Sequence, residues 1–433
     1  REFKLCSACS RCSSRNAVTM QRIAFALVCL ACAGLDFPAR GAHEHSRSGR
    51  DSRSLTGLAK LLTAFSASSV QMSNSFAGMR FLGCPINRAA ALSVRKDAAA
   101  IKSIRDGPEA QFLIVSSKKV LVTSDRPVRL VWKSLTDVCN ADLAAADLSV
   151  YLGPMVAGDK KCEVFAAQAN ASALSSSGTA WLSGRELMLT DASDADVAIA
   201  GLALGMFGWH ETALYDGRTG ERTIPIEGGM KRQVEGGSGK TYPRTDPVAI
   251  GLIVSPDGTR CFLGRSHKYP PGMYTCLSGF VDQCESVEEA FTREVMEEAG
   301  LTLKSVHLVA SQPWPIGRAG SCELMVGCKA VAASDLFQVN KAEIEDARWF
   351  TKAEVRKMLA QSLNNPYKAE AGTLFVPPPF AIAHHLIKSF VSASDEVADS
   401  RRQFWTALGV AASLGLAAGV GIMQLRRANG SRL

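Results

Sequence analysis

Residues Gly279–Leu301 read GFVDQCESVEEAFTREVMEEAGL, and this stretch decides the fold. Ser286 is followed three residues later by Glu289, which is a capping box and predicts that a helix begins there. Gly300 is the residue type that ends a helix at its C-terminal cap. The helix carries an apolar stripe at helical spacing, formed by Val287, Phe291 and Val295. Such a stripe predicts that the helix packs against a sheet.

Three carboxylates crowd one side of the same helix. Glu294 and Glu298 are four residues apart, so they stack about 40° apart around the axis, with Glu297 one step further round. Like charges at this spacing repel, and a hard divalent cation that prefers oxygen ligands relieves the repulsion. Metals that bridge carboxylates and a diphosphate activate water and neutralise the leaving oxygen. The alternative is a solvated acidic helix with Arg293 as an ion-pair partner, but the complete spaced pattern between two glycines favours a Mg²⁺ or Mn²⁺ site.

Composition and charge are those of an ordinary globular protein. The chain has 433 residues, of which 47% are hydrophobic and 21% charged, so it is long enough for about two to three domains. Its formal net charge is +8, with basic residues crowded towards the two ends. This distribution predicts that the basic residues belong to targeting segments or flank a membrane span, and not that they line a groove for nucleic acid. A mildly basic surface would still attract a polyanionic substrate. The 13 cysteines are an odd, scattered set that does not indicate a disulfide framework.

Patterning divides the chain into successive parts. Residues 1–71 are predicted to be a targeting or disordered lead, residues 72–207 an α+β domain, and residues 208–241 a small module rich in glycine and turn formers. Residues 242–394 form a second globular unit, followed by a linker over residues 395–403. Strands and helices are predicted at Gln111–Val115, Lys119–Val122, Val128–Trp132, Leu148–Leu152, Asp194–Phe207 (helix), Val248–Val254, Cys261–Gly264, Leu301–Ser311, Cys322–Val331, Ala347–Phe350, Lys352–Gln361 (helix) and Pro379–Ser394 (helix).

The stretch Gly279–Leu301 matches the Nudix pattern at its defining positions, and other segments resemble one branch of that family. Ser311-Gln312-Pro313-Trp314-Pro315 resembles the array that marks the NADH pyrophosphatase branch of Nudix hydrolases. The chain also resembles that branch, most closely its eukaryotic peroxisomal members, in four further segments: Phe76–Arg88, Tyr242–Pro247, Glu343–Phe350 and Pro377–Ala383.

The resemblance implies an α/β fold, in which a Nudix α/β/α sandwich with a mixed sheet follows the α+β domain. It implies metal-dependent hydrolysis of the diphosphate of NADH or NAD⁺ to nicotinamide mononucleotide and AMP, and removal of NAD caps from RNA. By motif position, the metal ligands would be Glu294, Glu297, Glu298, Glu343 and the carbonyl of Ser278, while Glu297, Glu298 and Arg293 would be catalytic. The dinucleotide would be bound by Tyr242, Gln312, Pro313, Trp314, Pro315 and Ala383.

For three of these residues the sequence leaves a plainer interpretation open. Trp314 between two prolines is suited to hold a base, but it would equally fill a core in a tight turn. Glu343 alone would be an ordinary surface carboxylate. Arg318, in a loop after Pro315 that is longer than is usual in the family, either contacts phosphate or faces solvent.

The module at residues 208–241 departs from the family, which usually has a zinc ribbon there. Asp216 and Thr219 stand where cysteines of a first zinc knuckle would be, and the second knuckle region, Val234–Gly239, contains no cysteine. Because a structural zinc site needs four Cys or His ligands, this degenerate zinc-ribbon-like module is predicted to bind no zinc and to hold its shape through turns and packing.

Both ends of the chain contain segments that resemble targeting signals. Ile23–Leu35 resembles the core of a signal peptide or signal anchor. The alternative is that the residues before Met72 are upstream sequence or a transit segment. Phe404–Met423 is an uncharged stretch flanked by arginine pairs, which predicts a transmembrane helix, with residues 424–433 as its tail. Its Gly415 and Gly419 would permit helix pairing and a homodimer. The final Ser431-Arg432-Leu433 resembles a peroxisomal address, so the expectation is a membrane-associated peroxisomal protein.

Two rival functions follow from the same residues. One is a Nudix hydrolase acting on another nucleoside diphosphate derivative, such as ADP-ribose or a CoA derivative, which the array Ser311–Pro315 disfavours. The other is a membrane-anchored, non-catalytic NAD-binding protein, which the intact set of Glu294, Glu297, Glu298 and Glu343 disfavours.

Overall fold

The computed structural model describes residues 78–141, 149–157, 160–169, 174–317, 320–364, 370 and 372–392. All of them belong to one unit of the chain, Ser66–Leu433. The predicted lead, Arg318, the apolar stretch Phe404–Met423 and the final tripeptide lie outside the described residues. Within the described ranges, no helix is both long and apolar enough to cross a bilayer.

The first sheet contains six strands in the order β4-β5-β1-β2-β6, and β3 pairs with β1. β1 and β5 are parallel, with Phe112 opposite Phe165, and the other pairs are antiparallel. The strands are β1 (Ala110–Ser116), β2 (Lys119–Thr123), β3 (Trp132–Lys133), β4 (Ser149–Ala157), β5 (Lys160–Gln168) and β6 (Thr179–Ser183). The helices are α1 (Arg88–Val94), α2 (Ala98–Arg105), α3 (Leu135–Ala141), α4 (Gly184–Met188) and α5 (Asp194–Thr212).

Helix α5 closes one face of this sheet. It begins at Asp194, where the Ser193 hydroxyl accepts a hydrogen bond from the backbone N–H of Asp196. Its apolar residues Val197, Ala200 and Phe207 pack into the same core as Leu113 and Val122 of the sheet. The helix, β1, β2 and β4 confirm the predicted α+β character of this part of the chain.

One strand prediction in this sheet was wrong, and two of its strands, β5 and β6, were not predicted. In the segment Val128–Trp132 only Trp132 enters a strand, and Leu130 makes a single bridge to Val122. The apolar alternation there reflects burial of Val128 and Leu130 in the core, which does not require strand pairing. Strand β5 carries the buried Glu163, which accepts a hydrogen bond from the Tyr151 hydroxyl at 2.6 Å; its sequence gives no alternation to detect.

The small module that follows is a three-stranded antiparallel sheet built around a buried arginine. It comprises β7 (Thr223–Ile226), β8 (Lys231–Val234) and β9 (Lys240–Thr241). Arg232 is 4% exposed, and its guanidinium donates to the Thr223 hydroxyl, the Thr223 carbonyl and Nδ1 of His210 on α5. Polar groups at this depth are stable only when paired, so this network ties the module to α5.

Asp216 organises the turn in which the resemblance would place the first zinc knuckle. Its carboxylate is buried and accepts hydrogen bonds from the backbone N–H groups of Arg218 and Thr219, both at 3.0 Å. These bonds hold the pKa of Asp216 below its usual range. A carboxylate that closes a turn by accepting from its own backbone requires no metal.

The second large sheet is mixed and has the order β13-β14-β10-β11-β15, with β12 beside the first half of β10. β10 and β14 are parallel and the other pairs are antiparallel. The strands are β10 (Asp246–Val254), β11 (Arg260–Arg265), β12 (Leu277–Phe280), β13 (Leu303–Trp314), β14 (Glu323–Ala332) and β15 (Asp346–Thr351). Three helices of the described residues accompany it: α6 (Val287–Ala299), α7 (Lys352–Asn364) and α8, which spans residues 382–392.

Helices cover both faces of this sheet. The side chains of Phe291 and Val295 on α6 share a core with Ala249 and Ile253 of β10. The alternate residues Ile250 and Leu252 face a second core with α7 and α8. Gly251 lies under α6, and a β-carbon there would overlap the ring of Phe291. The α/β/α sandwich with a mixed sheet is therefore confirmed.

Candidate active site

Helix α6 begins and ends where its sequence predicts. The Ser286 hydroxyl accepts from the backbone N–H of Glu289 at 3.2 Å, and the Glu289 carboxylate accepts from the backbone N–H of Ser286 at 2.8 Å. Gly300 caps the other end in the left-handed conformation, with φ of 58°. Since Phe291 and Val295 are fully buried against the sheet, the carboxylates on the neighbouring side of the helix are held beside β12.

Glu294 is seated on the backbone of β12. A β-carbon at Gly279 would overlap the carboxylate group of Glu294, so glycine leaves room for this side chain in the position it occupies. Partial burial raises the pKa of Glu294, against the opposing effect of Arg293. Ser278, whose carbonyl is a predicted ligand, is half-buried in the same strand and lies opposite Ile250.

Arg293 clamps the loop between β12 and α6 onto the helix. Its Nε and Nη2 donate to the two carboxylate oxygens of Glu285 at 2.8 and 2.9 Å, and Nη2 also donates to the Phe280 carbonyl. Its Nη1 donates to Glu294 at 2.9 Å and to Glu297 at 3.1 Å. Paired fork-to-fork bonds of this kind fix geometry as well as charge, so the structure gives Arg293 a positioning role.

Glu298 carries an oxygen that has no partner. Its Oε2 is buried and makes no hydrogen bond within the described part of the chain. Burial, followed by the like charges of Glu294, Glu343 and Glu297, raises the pKa of Glu298 to about 8. A carboxylate in this state is costly to the fold unless something neutralises it.

Glu343 reaches the same site from a distant segment. It lies in the turn before β15 and is exposed, and its charge acts on both Glu294 and Glu298. The structure therefore brings together Glu294, Glu297, Glu298 and Glu343. As the side chains stand, no three such groups among the described residues are close enough to hold a metal ion, and Arg293 engages two of the four carboxylates.

Gln312 is fully buried, and its amide is committed to the backbone. Its Nε2 donates to the carbonyls of Arg80 at 3.1 Å and Phe380 at 2.7 Å, and its Oε1 accepts from the Ile382 N–H at 2.8 Å. Through these bonds the end of β13 is attached both to the N-terminal segment and to the start of α8. With its hydrogen-bonding groups used in this way, Gln312 positions the surrounding segments.

Trp314 and Pro315 dock the second sheet onto the first domain. The Trp314 ring is partly buried and meets Phe81 edge-on, with ring centroids 5.9 Å apart. Pro315 lies against helix α5, where a β-carbon on Gly201 would come within 2.9 Å of the proline Cγ. Both contacts are of the core-filling kind, whereas Pro313 is only partly buried.

The other predicted substrate residues lie in different environments. Tyr242 is 57% exposed, and the Nζ of Lys231 lies 5.3 Å from its ring centroid. Ala383 is buried in α8 and packs in the core with Leu263 and Val376. Whether any of these residues contacts a dinucleotide stays a prediction.

Sequence reasoning missed Glu285 and the spatial role of Gly279. Glu285 lies on the loop, eight residues before Arg293, so helical spacing does not relate the two. In the sequence, Gly279 is one of the two glycines that bound the acidic pattern, whereas in the structure it leaves space for Glu294.

The chain is similar in sequence to a known domain family and to several known proteins. Residues 245–369 match the model of the NUDIX domain. The chain is 40% identical over 211 residues to the NAD-capped RNA hydrolase NUDT12 of Homo sapiens, covering 47% of this chain and 43% of that protein. It is 35% identical over 318 residues to Nudix hydrolase 19, chloroplastic, of Arabidopsis thaliana, covering 63% of this chain and 72% of that protein.

A third relative is named for a different activity. The chain is 39% identical over 201 residues to the NAD(P)H pyrophosphatase NUDT13, mitochondrial, of Homo sapiens, covering 45% of this chain and 55% of that protein. The matches to the two human proteins thus span roughly half of those proteins' lengths or less.

Proposed function

This chain belongs to the Nudix hydrolase family, and from that premise we propose that it hydrolyses the diphosphate of NADH or NAD⁺ to nicotinamide mononucleotide and AMP. The resemblance to the NADH pyrophosphatase branch is confirmed by the relatives. We propose the NAD cap of RNA as a second substrate of the same site, because relatives at 34 to 40% identity are NAD-capped RNA hydrolases. The chemistry is the same in both cases, since the bond cut is the same phosphoanhydride.

The observation that carries the proposal is the unpartnered Oε2 of Glu298 beside three other carboxylates. Such a cluster is unfavourable by itself and fits a hard divalent cation with oxygen ligands. Glu294, Glu297, Glu298, Glu343 and the carbonyl of Ser278 would hold it. When bound, a Mg²⁺ or Mn²⁺ ion supplies an activated water and neutralises charge on the diphosphate.

The protein residues prepare the site for that chemistry. Gly279 makes room for Glu294, and Glu285 orients Arg293. Arg293 holds Glu294 and Glu297, two of the carboxylates that would hold the cation. Glu298, which is predicted to be catalytic, would accept a proton from an attacking water when its carboxylate is ionised beside the cation. A non-catalytic NAD-binding protein would gain nothing from retaining a buried unpartnered carboxylate.

The test is AMP release by the full chain. Purified protein is incubated with NADH, NAD⁺, ADP-ribose and a CoA ester, with Mg²⁺, with Mn²⁺ and with EDTA. We expect AMP and reduced nicotinamide mononucleotide from NADH only when metal is present, and loss of turnover in Glu298→Gln. Binding of NADH without products would favour the non-catalytic alternative, and faster turnover of ADP-ribose would assign a different substrate.

We also propose that Phe404–Met423 attaches the protein to a membrane. What supports this is its 20-residue uncharged length between arginine pairs. Alkaline carbonate extraction tests it: the full chain should stay with the membranes, whereas a variant with Leu414→Arg and Gly415→Arg should be released.

A further inference from the structure

A strongly basic groove lies between helix α2 and the three-stranded module. It encloses about 800 Å³ and is lined on the α2 side by Arg95, Lys96, Lys102 and Arg105, and on the module side by Lys231 and Lys240. One carboxylate, Glu227, lines it in the described part of the chain. This volume is towards the upper end of the roughly 300–1,000 Å³ typical of ligand sites.

The single carboxylate does not balance the cations. Glu227 is bound by Lys231 at 2.8 Å, and the charges of Lys240 and Lys96 act on it as well. Lys231 is thereby paired within the groove, and Arg105 forms an ion pair with Asp106 at 3.1 Å. Four of the six cations remain besides these two, so the summed charge of the lining is positive. Like charges gathered on one surface repel each other, which favours an anionic ligand.

Arg95 is anchored in the lining of the groove. Its Nη2 donates to the carbonyl of Leu152 at 3.1 Å, and its Nε is buried and has no hydrogen-bond partner within the described residues. A buried donor of this kind costs free energy unless water or another polar group satisfies it. Arg95 therefore adds an incompletely paired cation to the positive charge of the groove.

Close contacts fix the backbone on both sides of the groove. The turn between β7 and β8 has positive φ at Glu227, Gly228 and Gly229. Its Gly228 carbonyl accepts from the backbone N–H of Tyr151 on β4 at 2.7 Å, and a β-carbon at Gly229 would come within 3.1 Å of Val150. On the other side, the Asp97 carboxylate caps α2 by accepting from two backbone N–H groups.

An exposed aromatic residue lies next to this charge. The Tyr242 ring is 57% exposed, and Lys231, which lines the groove, lies 5.3 Å from its centroid. Cationic grooves that follow a phosphate backbone, combined with aromatic rings on which bases stack, are the general means of binding single-stranded nucleic acid. A duplex would leave the tyrosine without a base to stack on.

We propose that this groove binds the phosphate backbone of single-stranded RNA. Resting on the proposed function, the inference names the body of an NAD-capped RNA as the ligand, held apart from the carboxylates that act on its cap. The groove then contributes to affinity for capped RNA and not to hydrolysis of free NADH.

The test uses RNA without any cap, so that it does not depend on hydrolysis. A labelled single-stranded oligouridine is titrated with the full-length protein by fluorescence anisotropy over a range of salt concentrations. Lys96, Lys102 and Lys240 are exposed and are replaced together by Gln. We expect affinity to fall about tenfold or more and the slope of log K against log salt to decrease by roughly 2.

A second triple variant serves as a control, because it tests whether the effect comes from the groove lysines or from any loss of three positive charges. Lys304, Lys357 and Lys388 are exposed on the second domain, and replacing them by Gln removes the same charge. We expect this control to bind oligouridine within about twofold of the unmodified protein. Tyr242→Ala should weaken binding without changing the salt slope, because stacking releases no counter-ions.

Three outcomes would overturn the proposal: no binding of oligouridine, equal weakening by both triple variants, or preference for a duplex of the same length. Binding of anionic lipid vesicles that depends on the three groove lysines, with no RNA binding, would assign the groove to a membrane instead. AMP release from free NADH is measured on the same proteins and should not change in the groove variant. Failure of that activity in the unmodified chain would instead count against the proposed function.

Discussion

The carboxylate of Glu294 rests directly on the α-carbon of Gly279, in a space that any β-carbon at position 279 would fill. The contact joins β12 to α6, so that the backbone of the strand and the acidic face of the helix fix each other's position. The φ of Gly279 is not positive, so alanine at this position would conflict with the Glu294 side chain and not with the backbone conformation.

Gly279→Ala should therefore inactivate the enzyme without unfolding it. The methyl group would push the Glu294 carboxylate aside by an ångström or more, and displacements of this size in a catalytic site cost about 100-fold in rate. The measurement is kcat for NADH at saturating Mn²⁺, with thermal unfolding to check the fold.

Gly217→Ala is the matched control. Nothing lies within 4 Å of a β-carbon at that position, and its φ is not positive. The control should keep normal kcat, and a Gly279→Ala protein that did the same would show that Glu294 is free to move.

Glu298→Gln should stabilise the metal-free protein while abolishing turnover. The change replaces a buried, unpartnered carboxyl group surrounded by like charges with a neutral amide of the same shape. In EDTA at neutral pH the gain should be as much as about 3 kcal/mol, measured by chemical denaturation. Adding Mn²⁺ should raise the stability of the unmodified protein more than that of the variant.

A destabilised Glu298→Gln protein in EDTA would contradict this expectation. It would mean that the buried oxygen of Glu298 stabilises the metal-free protein through a contact other than those of the described residues. Glu297→Gln is the appropriate comparison, because Glu297 is half exposed and ion-paired with Arg293 at 3.1 Å.

Glu285→Gln should lower turnover by loosening Arg293. The two oxygens of Glu285 accept from Nε and Nη2 of Arg293, and an amide removes both the charge and one acceptor. Loss of a group that orients catalytic residues typically costs about 10- to 100-fold in activity or metal affinity. The readouts are kcat and the Mn²⁺ concentration at half-maximal rate.

Asp282→Asn serves as control for the same guanidinium. Asp282 is largely exposed and 4.0 Å from Arg293, and surface pairs of this kind contribute little. Equal losses in the two variants would indicate that charge around Arg293, and not the fork geometry with Glu285, governs the site.

The helix that carries the site could be predicted from sequence because its signals are local. The capping box of Ser286 and Glu289, the glycine cap at Gly300 and the stripe of Phe291 and Val295 all lie within 16 residues. The mixed character of the sheet followed from the family resemblance and not from the residues, and the order of its strands was not predicted.

Contacts between distant segments could not be predicted. Gln312 bonds to Arg80 and Phe380, which are 232 and 68 residues away, so no local pattern relates them. The hydrogen bond between Arg232 and His210 could not be predicted for the same reason, because the buried arginine of the small sheet is paired with a helix residue 22 positions earlier. Turn signals predicted that the module is rich in turns, but they did not identify the network that attaches it.

That network makes the module sensitive to acid. His210 is 2% exposed, and its Nδ1 accepts from Arg232 at 2.9 Å, so its Nε2 carries the proton and donates to the Gly229 carbonyl at 2.8 Å. Burial, together with the charge of Arg232, lowers the pKa of His210 to about 4. Protonation would remove the acceptor from Arg232 and place two cations in contact.

Acid should lower the stability of the module because His210 binds its proton more weakly when folded than when unfolded. An unfolded histidine binds a proton below about pH 6.5 and the folded one only near pH 4, so the stability that His210 contributes is present above pH 6.5 and is lost as pH falls towards 4. Between pH 7 and pH 5 the loss should be about 2 kcal/mol. Hydrogen exchange at β7 and β8 isolates the module from His384, whose pKa is also lowered to about 4. His210→Gln should be less stable than the unmodified protein at pH 7 but should lose less protection on going to pH 5, and parallel losses in the two proteins would remove His210 as the cause.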